Sequence, residues 1–140
     1  MSTIYLALGS NLGNRLEYIH KAVEALELGG VNVLKLSTVI ETDPLDAPPQ
    51  GCYLNAVLKA QTLLSPEELI FLTQSIESKL GRVKKEFRGP RVIDIDILLY
   101  DDIKLITQKL LIPHPRMLER NFVMQPLEEI DPDLCVLLRP

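Results

Sequence analysis

The stretch RVIDIDILLY, residues 91–100, has the composition of a buried β-strand but carries two aspartates two residues apart. Successive side chains of a strand point to opposite faces, so Asp94 and Asp96 share one face. Val92 and Leu98 belong to that face, and the opposite face is expected to hold Ile93, Ile95, Ile97 and Leu99. Aspartate is depleted in strands, and two like charges on one face repel. The pattern therefore predicts a strand whose acidic face meets a positively charged group.

The elements before this strand alternate between strand and helix patterns. Alternating apolar residues predict strands at Thr3–Leu8, Val33–Thr42 and Tyr53–Thr62, and helical spacing of apolar residues predicts two helices between them. The resulting order, β-α-β-β-α-β, predicts an α/β (α+β) fold: a ferredoxin-like sandwich with a mainly antiparallel sheet and helices on one face. After residue 100 we expect a short C-terminal hairpin (Ile103–Ile106 and Leu110–Ile112) and one or two short helices around residues 115–131.

Both predicted helices carry terminal signals. The first contains Leu16, Ile19, Val23 and Leu26 at helical spacing and stops at Gly29–Gly30. The second begins with the capping box Ser65-Pro66-Glu67-Glu68 and has Gly81 as its expected C-cap. Its apolar stripe comprises Leu69, Leu72, Ile76 and Leu80.

Three further patterns concern faces and loops. In the second strand, Leu34, Leu36 and Ile40 are expected on one face. In the third, Tyr53 and Asn55 share the face opposite Leu54, Ala56, Leu58 and Ala60. Proline-rich and charged segments at residues 43–52 (DPLDAPPQGC) and 82–91 (RVKKEFRGPR) predict two long irregular loops.

Composition bounds the class of protein. The 140 residues are 46% hydrophobic and 24% charged, which suits a single domain over residues 1–140. A net charge of −4 argues against nucleic acid or an anionic membrane as a partner. The N-terminus lacks the pattern of a signal peptide, and Cys52 and Cys135 form no CxxC motif. We expect a cytoplasmic protein.

A pair of carboxylates on one face of a strand suits a hard metal ion. Mg²⁺ typically takes one or two carboxylates and completes its shell with water and substrate phosphates. A solvated outer face near a sheet edge would explain an isolated DxD equally well, so the aspartates alone leave both interpretations open.

The preceding loop favours phosphate chemistry. Residues 82–91 contain five cationic side chains and a single acid, Glu86, although the whole chain is acidic. Cationic side chains followed directly by a metal-binding acid pair suit phosphoryl transfer, because that chemistry depends on positioning and charge neutralisation. A triphosphate site is therefore predicted.

The segment GSNLGN, residues 9–14, is not that site. It lacks the GK[ST] ending that gives a phosphate-binding P-loop its lysine and its metal-binding hydroxyl. We interpret it as a tight turn between strand and helix in which Asn11 or Asn14 caps the helix.

The run RGPRVIDIDIL, residues 88–98, resembles the signature of the 6-hydroxymethyl-7,8-dihydropterin pyrophosphokinases of folate biosynthesis. The similarity covers nearly all of the chain and includes further separated motifs in the same order: ALGSNLGN, ETDPL, YLNAV, GRV, IPHPRM and RNFV. The fold of that family is the ferredoxin-like arrangement.

The resemblance implies an ATP-dependent diphosphotransferase that transfers pyrophosphate from ATP to the hydroxymethyl group of 6-hydroxymethyl-7,8-dihydropterin and leaves AMP. Two Mg²⁺ ions are implied as cofactors, with Asp94 and Asp96 as their ligands. The implied catalytic residues are Arg82, Arg91, Asp94 and Asp96. The implied pterin-binding residues are Thr42, Pro44, Leu45, Tyr53, Asn55 and Phe122. The implied ATP-binding residues are Gln74, Glu77, Arg82, Lys84, Arg91, Ile97, Lys109, His114 and Arg120.

The implied pterin pocket is chemically reasonable. Tyr53 and Phe122 offer aromatic faces to a flat heterocycle, and Asn55 has a donor and an acceptor for its edge. The chain departs from the family pattern at Asp46, where glycine is common, and at Arg88, where many members have tryptophan. Both positions lie in the two loops that are expected to close over the substrates, so these departures concern the order of the loops and the reaction rate, not the reaction itself. We expect a monomer.

The alternative function is a non-catalytic small-molecule or nucleotide sensor, since ferredoxin-like domains serve many functions. Such a sensor would not need both an acid pair and a cationic loop. An RNA-binding module is disfavoured by the net charge and by the lack of paired aromatic residues on the sheet.

Overall fold

The computed structural model describes residues 1–42, 52–81 and 92–139. Its principal strands are β1 (Ser2–Ser10), β2 (Val31–Leu36), β3 (Ile40–Thr42), β4 (Tyr53–Thr62) and β5 (Asp94–Tyr100). The short strands β6 (Leu105–Ile106) and β7 (Leu111–Ile112) form a separate hairpin. Helices α1 (Arg15–Leu28), α2 (Pro66–Lys79), α3 (Asn121–Ile130) and α4 (Pro132–Leu138) accompany a 3₁₀ turn at Met117–Glu119.

The main sheet has the order β2-β4-β1-β5, with β3 added beside β4, and every pair is antiparallel. The predicted ferredoxin-like α+β fold is confirmed. Strand β1 occupies the interior of the sheet, between β4 and β5. On each face of the sheet, the side chains of β1 therefore lie between those of β4 and those of β5.

Two apolar clusters cover the two faces of the sheet. On one face, Ile4, Leu6 and Leu8 of β1 pack with buried residues of α1 and α2. On the other, Tyr5 and Val57 pack with Val123, Met124 and Leu127 of α3. The C-terminal helices thus cover the second face, and α4 extends beyond the predicted helical region.

A polar contact fastens the α3–α4 junction to the sheet. The Tyr5 hydroxyl donates to Asp131 Oδ2, and Lys59 Nζ lies 3.5 Å from the same oxygen. Asp131 also caps α4 by accepting from the Leu134 N–H at 3.2 Å. This contact holds α3 against β4 on the face that carries Asn55.

The first residues of both helices agree with their sequence signals. Asn14 Oδ1 accepts from the Glu17 N–H at 3.2 Å, so Asn14 is the cap of α1. Ser65 and Glu68 form the complete capping box of α2. Its C-cap is Leu80 rather than the predicted Gly81, which follows with φ of +103°. Only Leu16 of the predicted apolar stripe of α1 differs, because its side chain is 46% exposed.

The predicted second strand, Val33–Thr42, is wrong as one element, because it divides into β2 and β3 at Ser37. The Ser37 N–H donates to Val57 O at 2.9 Å, and Ser37 Oγ accepts from the Val57 N–H at 2.9 Å. This side-chain bond replaces a ladder bond and interrupts the strand. A register shift between Val33 and Lys35 also leaves Leu34 exposed while Leu36 packs against the core, so these two residues do not share a face as predicted.

Strand β5 contains a second irregularity. Tyr5 pairs with Leu99 and Leu6 pairs with Ile97, so Leu98 is an extra residue in β5. Leu98 and Leu99 consequently both face the α3 side, and the prediction that Leu99 lies with the isoleucines is wrong. The bulge lies beyond the aspartates, and Ile93, Ile95 and Ile97 are in the α1–α2 core as predicted.

Candidate functional site

Gly9 of β1 lies between the two groups of residues that the sequence singles out. It pairs with Asn55 of β4 on one side and with Asp94 of β5 on the other. Directly paired residues of neighbouring strands lie on the same face. Asn55 and Asp94 therefore flank Gly9 on the α3 face, separated by two strand spacings, about 10 Å.

Asn55, Thr42 and Tyr53 form the β4 side of this site. Asn55 Nδ2 donates to Thr42 Oγ1 at 2.6 Å, which fixes the orientation of the amide. A Cβ atom on Gly9 would lie 3.2 Å from Asn55 Oδ1 and 3.5 Å from Tyr53 Cδ1. The glycine thus leaves the room that these two side chains occupy.

Asp94 and Asp96 form the β5 side. Both are half-buried, and alternation places their Cα atoms about 7 Å apart on one face. Asp96 pairs with Ala7, so the residues of β1 beside the acid pair, Ala7 and Gly9, are both small. The sheet surface between the amide and the carboxylates therefore carries no large side chain, and we call this surface, formed by Ala7 and Gly9, the floor of the site.

The donor set fits Mg²⁺. Within residues 1–42, 52–81 and 92–139, no group of three or more His, Cys, Asp or Glu side chains could form a complete metal cage. Two carboxylates on one strand face are nevertheless what Mg²⁺ usually takes from a protein when substrate phosphates supply other ligands.

Glu77 of α2 approaches β5 from its outer edge. Its side chain is only 6% exposed, and Oε2 accepts from the Ile95 N–H at 2.8 Å. Ile95 is the residue between the two aspartates. The Glu77 carboxylate is therefore bound to the strand that carries the acid pair, and its implied contact with ATP stays a prediction.

His114 lies beside the same strand. Its backbone N–H donates to Leu98 O at 2.9 Å, and its Nδ1 accepts from the Arg116 N–H at 3.3 Å. Burial, with the charges of Arg120 and Arg116, lowers the pKa of His114 below its ordinary value. The ring is therefore neutral near pH 7, with its proton on Nε2, and can donate a hydrogen bond to a phosphate oxygen.

Phe122 and Arg120 lie at the start of α3. The Arg120 guanidinium carbon is 5.5 Å from the centre of the Phe122 ring, within cation–π range. Phe122 is half-buried beside the α3-side cluster. Helix α3 packs against β4 and also contacts β3, so Phe122 belongs to the face that bears Asn55, with Arg120 beside its ring.

The remaining implied nucleotide residues are more dispersed. Gln74 is exposed on α2, one helical turn before Glu77, and Lys109 is exposed before β7. The Ile97 side chain is buried in the core, so only its main chain could contact a ligand. Alternate residues of a strand direct their main-chain N–H and C=O groups to the same edge, so those of Ile97 point to the outer edge, as those of Ile95 do.

Five implied residues lie outside the described part of the chain: Pro44, Leu45, Arg82, Lys84 and Arg91. Their roles stay predictions. The departures at Asp46 and Arg88 fall in the same two segments.

Two residues of the described site were not singled out from the sequence. Gly9 falls in the turn predicted at residues 9–14, but it lies within β1, where a glycine can mark a close approach of neighbouring groups. Arg15 follows the cap residue Asn14, and its contacts with the β3 and β4 ends become visible only in the fold.

The family model described as 7,8-dihydro-6-hydroxymethylpterin-pyrophosphokinase (HPPK) matches residues 5–132. The chain is 46% identical over 127 residues to the Bacillus subtilis 2-amino-4-hydroxy-6-hydroxymethyldihydropteridine pyrophosphokinase, covering 90% of this chain and 76% of that protein. It is 46% identical over 134 residues to the Aquifex aeolicus protein of the same name, covering 96% and 83%.

Some relatives are much longer. The chain is 48% identical over 131 residues to the Pneumocystis carinii folic acid synthesis protein fol1, which covers 94% of this chain but 18% of that protein. The Plasmodium falciparum HPPK-DHPS structure with pterin and p-hydroxybenzoate matches with a TM-score of 0.71 at 15% identity, over 94% of this chain and 40% of that one. At that identity the structural match supports the fold alone.

Among the helices that the structure describes, none combines the length and the apolar composition needed to cross a membrane.

Proposed function

The chain belongs to the 7,8-dihydro-6-hydroxymethylpterin-pyrophosphokinase family, and from this premise we propose that it transfers pyrophosphate from ATP to the hydroxymethyl group of 6-hydroxymethyl-7,8-dihydropterin, releasing AMP. The reaction is a step of folate biosynthesis. Residues 1–140 constitute the catalytic domain.

The position of Gly9 between Asn55 and Asp94 carries this proposal. A pterin held by the Asn55 amide extends its hydroxymethyl group across Gly9 towards the acid pair. The polyphosphate of ATP would approach the same point from β5, where Asp94 and Asp96 would hold its Mg²⁺. The two substrates thus meet over the small residues of β1, which is the proximity that a transfer between them requires.

In the proposed reaction the hydroxymethyl oxygen attacks the β-phosphorus of ATP. A new O–P bond forms while the bond from the β-phosphorus to the oxygen shared with the α-phosphate breaks. AMP leaves with that electron pair, and the proton of the hydroxymethyl group is released to water. When bound, Mg²⁺ neutralises phosphate charge and makes the attacking hydroxyl more acidic.

The residues of the chain then have distinct roles. Asn55, oriented by Thr42, recognises the pterin edge, while Tyr53 and Phe122 contact its ring together with Pro44 and Leu45. Asp94 and Asp96 would hold the two Mg²⁺ ions. His114 Nε2 donates a hydrogen bond to the phosphates, and the positive charge of Arg120 attracts them.

Further contacts complete the nucleotide site. The cationic side chains Arg82, Lys84 and Arg91 act on the transferring phosphates. The nucleotide itself is held by Gln74, the Ile97 main chain and Lys109.

The setting of the protein is also inferred. We infer a monomer in the cytoplasm, a setting supported by Cys52 and Cys135, which form no disulfide within the described residues. Light scattering on the purified chain gives its mass in solution and tests whether it is a monomer.

The test of the function is AMP formation. The purified chain is incubated with Mg²⁺-ATP, with and without the pterin, and nucleotides are separated by chromatography. We expect AMP and the pyrophosphorylated pterin in equal amounts, and no AMP without the pterin. Binding of both ligands without AMP would favour the sensor, and the failure of either ligand to bind would refute the assigned site.

A further inference from the structure

Arg15, the first residue of α1, contacts the chain on both sides of the connection between β3 and β4. Its Nη2 lies 2.9 Å from Glu41 Oε2, and its Nη1 donates to Cys52 O at 2.7 Å. Glu41 precedes Thr42, and Cys52 precedes Tyr53. One guanidinium group therefore joins the two strand ends from which Thr42, Tyr53 and Asn55 project.

We propose that Arg15 is a positioning residue for the pterin pocket, acting through the β3 and β4 ends on the Asn55 amide. Thr42 and Tyr53 form the last residue pair of the β3–β4 ladder, and Glu41 pairs with Leu54. A displacement of β3 relative to β4 would alter the 2.6 Å bond between Asn55 Nδ2 and Thr42 Oγ1. Arg15 restrains that displacement. This inference rests on the proposed function, because it assigns Asn55 to the pterin.

The local structure around Arg15 makes it suitable for this role. The preceding residue, Asn14, caps α1, and Gly13 has φ of +73°, a conformation that favours glycine. The backbone of Arg15 is thus set by a glycine turn and a capped helix. The side chain starts from a fixed point and reaches both strand ends.

Arginine suits the geometry better than lysine. Its planar group presents separate N–H donors to Glu41 and to the Cys52 carbonyl at the same time. A lysine ammonium is a compact charge on a flexible stem and would not hold both acceptors in one fixed geometry. The interaction with a main-chain carbonyl also makes the position of the β4 end independent of the residue type at Cys52.

The expected effect falls on pterin binding rather than on global stability. The side chain of Glu41 is more than half exposed, and exposed ion pairs contribute little to folding. The bond between Thr42 and Asn55, in contrast, sets the direction of a group that recognises substrate. Loss of Arg15 therefore should raise KM for the pterin while leaving KM for ATP and Tm close to their wild-type values.

The experiment compares Arg15→Gln and Arg15→Lys with the matched control Lys21→Gln. Lys21 is on the same helix and forms an exposed ion pair with Glu17 at 3.0 Å, away from β3 and β4. Both KM values, kcat and Tm are measured for each protein, together with the NMR resonances of the Asn55 side-chain amide without substrate. Glu41→Gln and the double variant with Arg15→Gln measure the coupling between the two side chains.

We expect Arg15→Gln to raise KM for the pterin about tenfold, which corresponds to about 1.4 kcal/mol, and to shift the Asn55 amide resonances. Arg15→Lys should restore part of the loss, and Lys21→Gln should change neither quantity. Unshifted Asn55 resonances, or an equal rise of both KM values, would overturn the proposal. A wild-type chain that forms no AMP would instead refute the proposed function and the substrate part of this inference, while the resonances still decide whether Arg15 orients Asn55.

Discussion

The Glu77 carboxylate accepts a hydrogen bond from the Ile95 N–H, 2.8 Å away, at the residue between Asp94 and Asp96. Strand β5 pairs with β1 on its other side and has no strand partner along this edge within the described chain. Glu77 thus supplies the acceptor that a further strand would otherwise provide. The acid pair is consequently fixed from both edges of its strand.

Replacing Glu77 by leucine should destabilise the protein, because the Ile95 N–H loses its acceptor. A buried donor without a partner costs about 1–3 kcal/mol, and Glu77→Leu should lower the free energy of unfolding by that amount. Glu77→Gln, the matched control, keeps an oxygen acceptor and should lose less. Urea denaturation of the three proteins measures the difference, and equal stability of Glu77→Leu and the wild type would remove the assigned role.

Gly9→Ala should weaken pterin binding selectively. The added Cβ would lie 3.2 Å from Asn55 Oδ1, so the amide must move by a few tenths of an ångström. We expect a higher Kd for the pterin and an unchanged Kd for a non-hydrolysable ATP analogue, both measured by calorimetry.

Gly29→Ala is the control for Gly9→Ala. Its Cβ meets the Leu72 side chain on the α1–α2 side of the sheet, so it should change stability without changing the pterin Kd. If Gly9→Ala binds the pterin as tightly as the wild type, the floor of the site lies elsewhere.

Phe122→Ala should weaken pterin binding by roughly tenfold or more, because stacking of a base on an aromatic ring contributes about 1–3 kcal/mol in comparable sites. Fluorescence titration with a pterin analogue gives the Kd. Phe71→Ala is the control, since Phe71 is 73% exposed on α2. A folded Phe122→Ala protein with the wild-type Kd would exclude Phe122 from the pocket.

His114 should make the ligand-free protein less stable as the pH falls below about 6.5, the ordinary histidine value. Burial and the neighbouring arginines lower its pKa in the folded state, so between that lowered pKa and the ordinary value the unfolded chain binds more protons. Stability is therefore complete above this window and is lost as the pH falls through it. His114→Gln should show a smaller decrease in Tm between about pH 7.5 and pH 5.5 than the wild type. An equal decrease in both proteins would assign the effect to other groups.

Strand alternation was sufficient to predict which faces carry Asp94, Asp96, Tyr53 and Asn55, because each of these strands is regular where they lie. The extra residues at Leu34 and Leu98 could not be predicted, since a bulge depends on the register with a partner strand that is distant in sequence.

The roles of Gly9, Arg15 and Glu77 required the fold for a related reason. Each acts through a contact with a segment far along the chain: Gly9 with β4 and β5, Arg15 with the β3 and β4 ends, and Glu77 with Ile95. The family resemblance had implied Glu77 as an ATP residue but not its bond to the acidic strand. The cationic residues of 82–91 lie outside the described residues, and their roles stay predictions.

The most direct test of the account is AMP formation by Asp94→Asn and Asp96→Asn at saturating Mg²⁺, with Tm measured on the same samples and the exposed Asp102→Asn as the control. Each change removes one of two repelling charges with almost no change of shape, so neither variant should melt below the wild type. Both should be nearly inactive if the carboxylates hold the metal that the phosphates require. Wild-type turnover in either variant would contradict the metal site, and a variant that unfolds would show that the aspartates serve the fold instead.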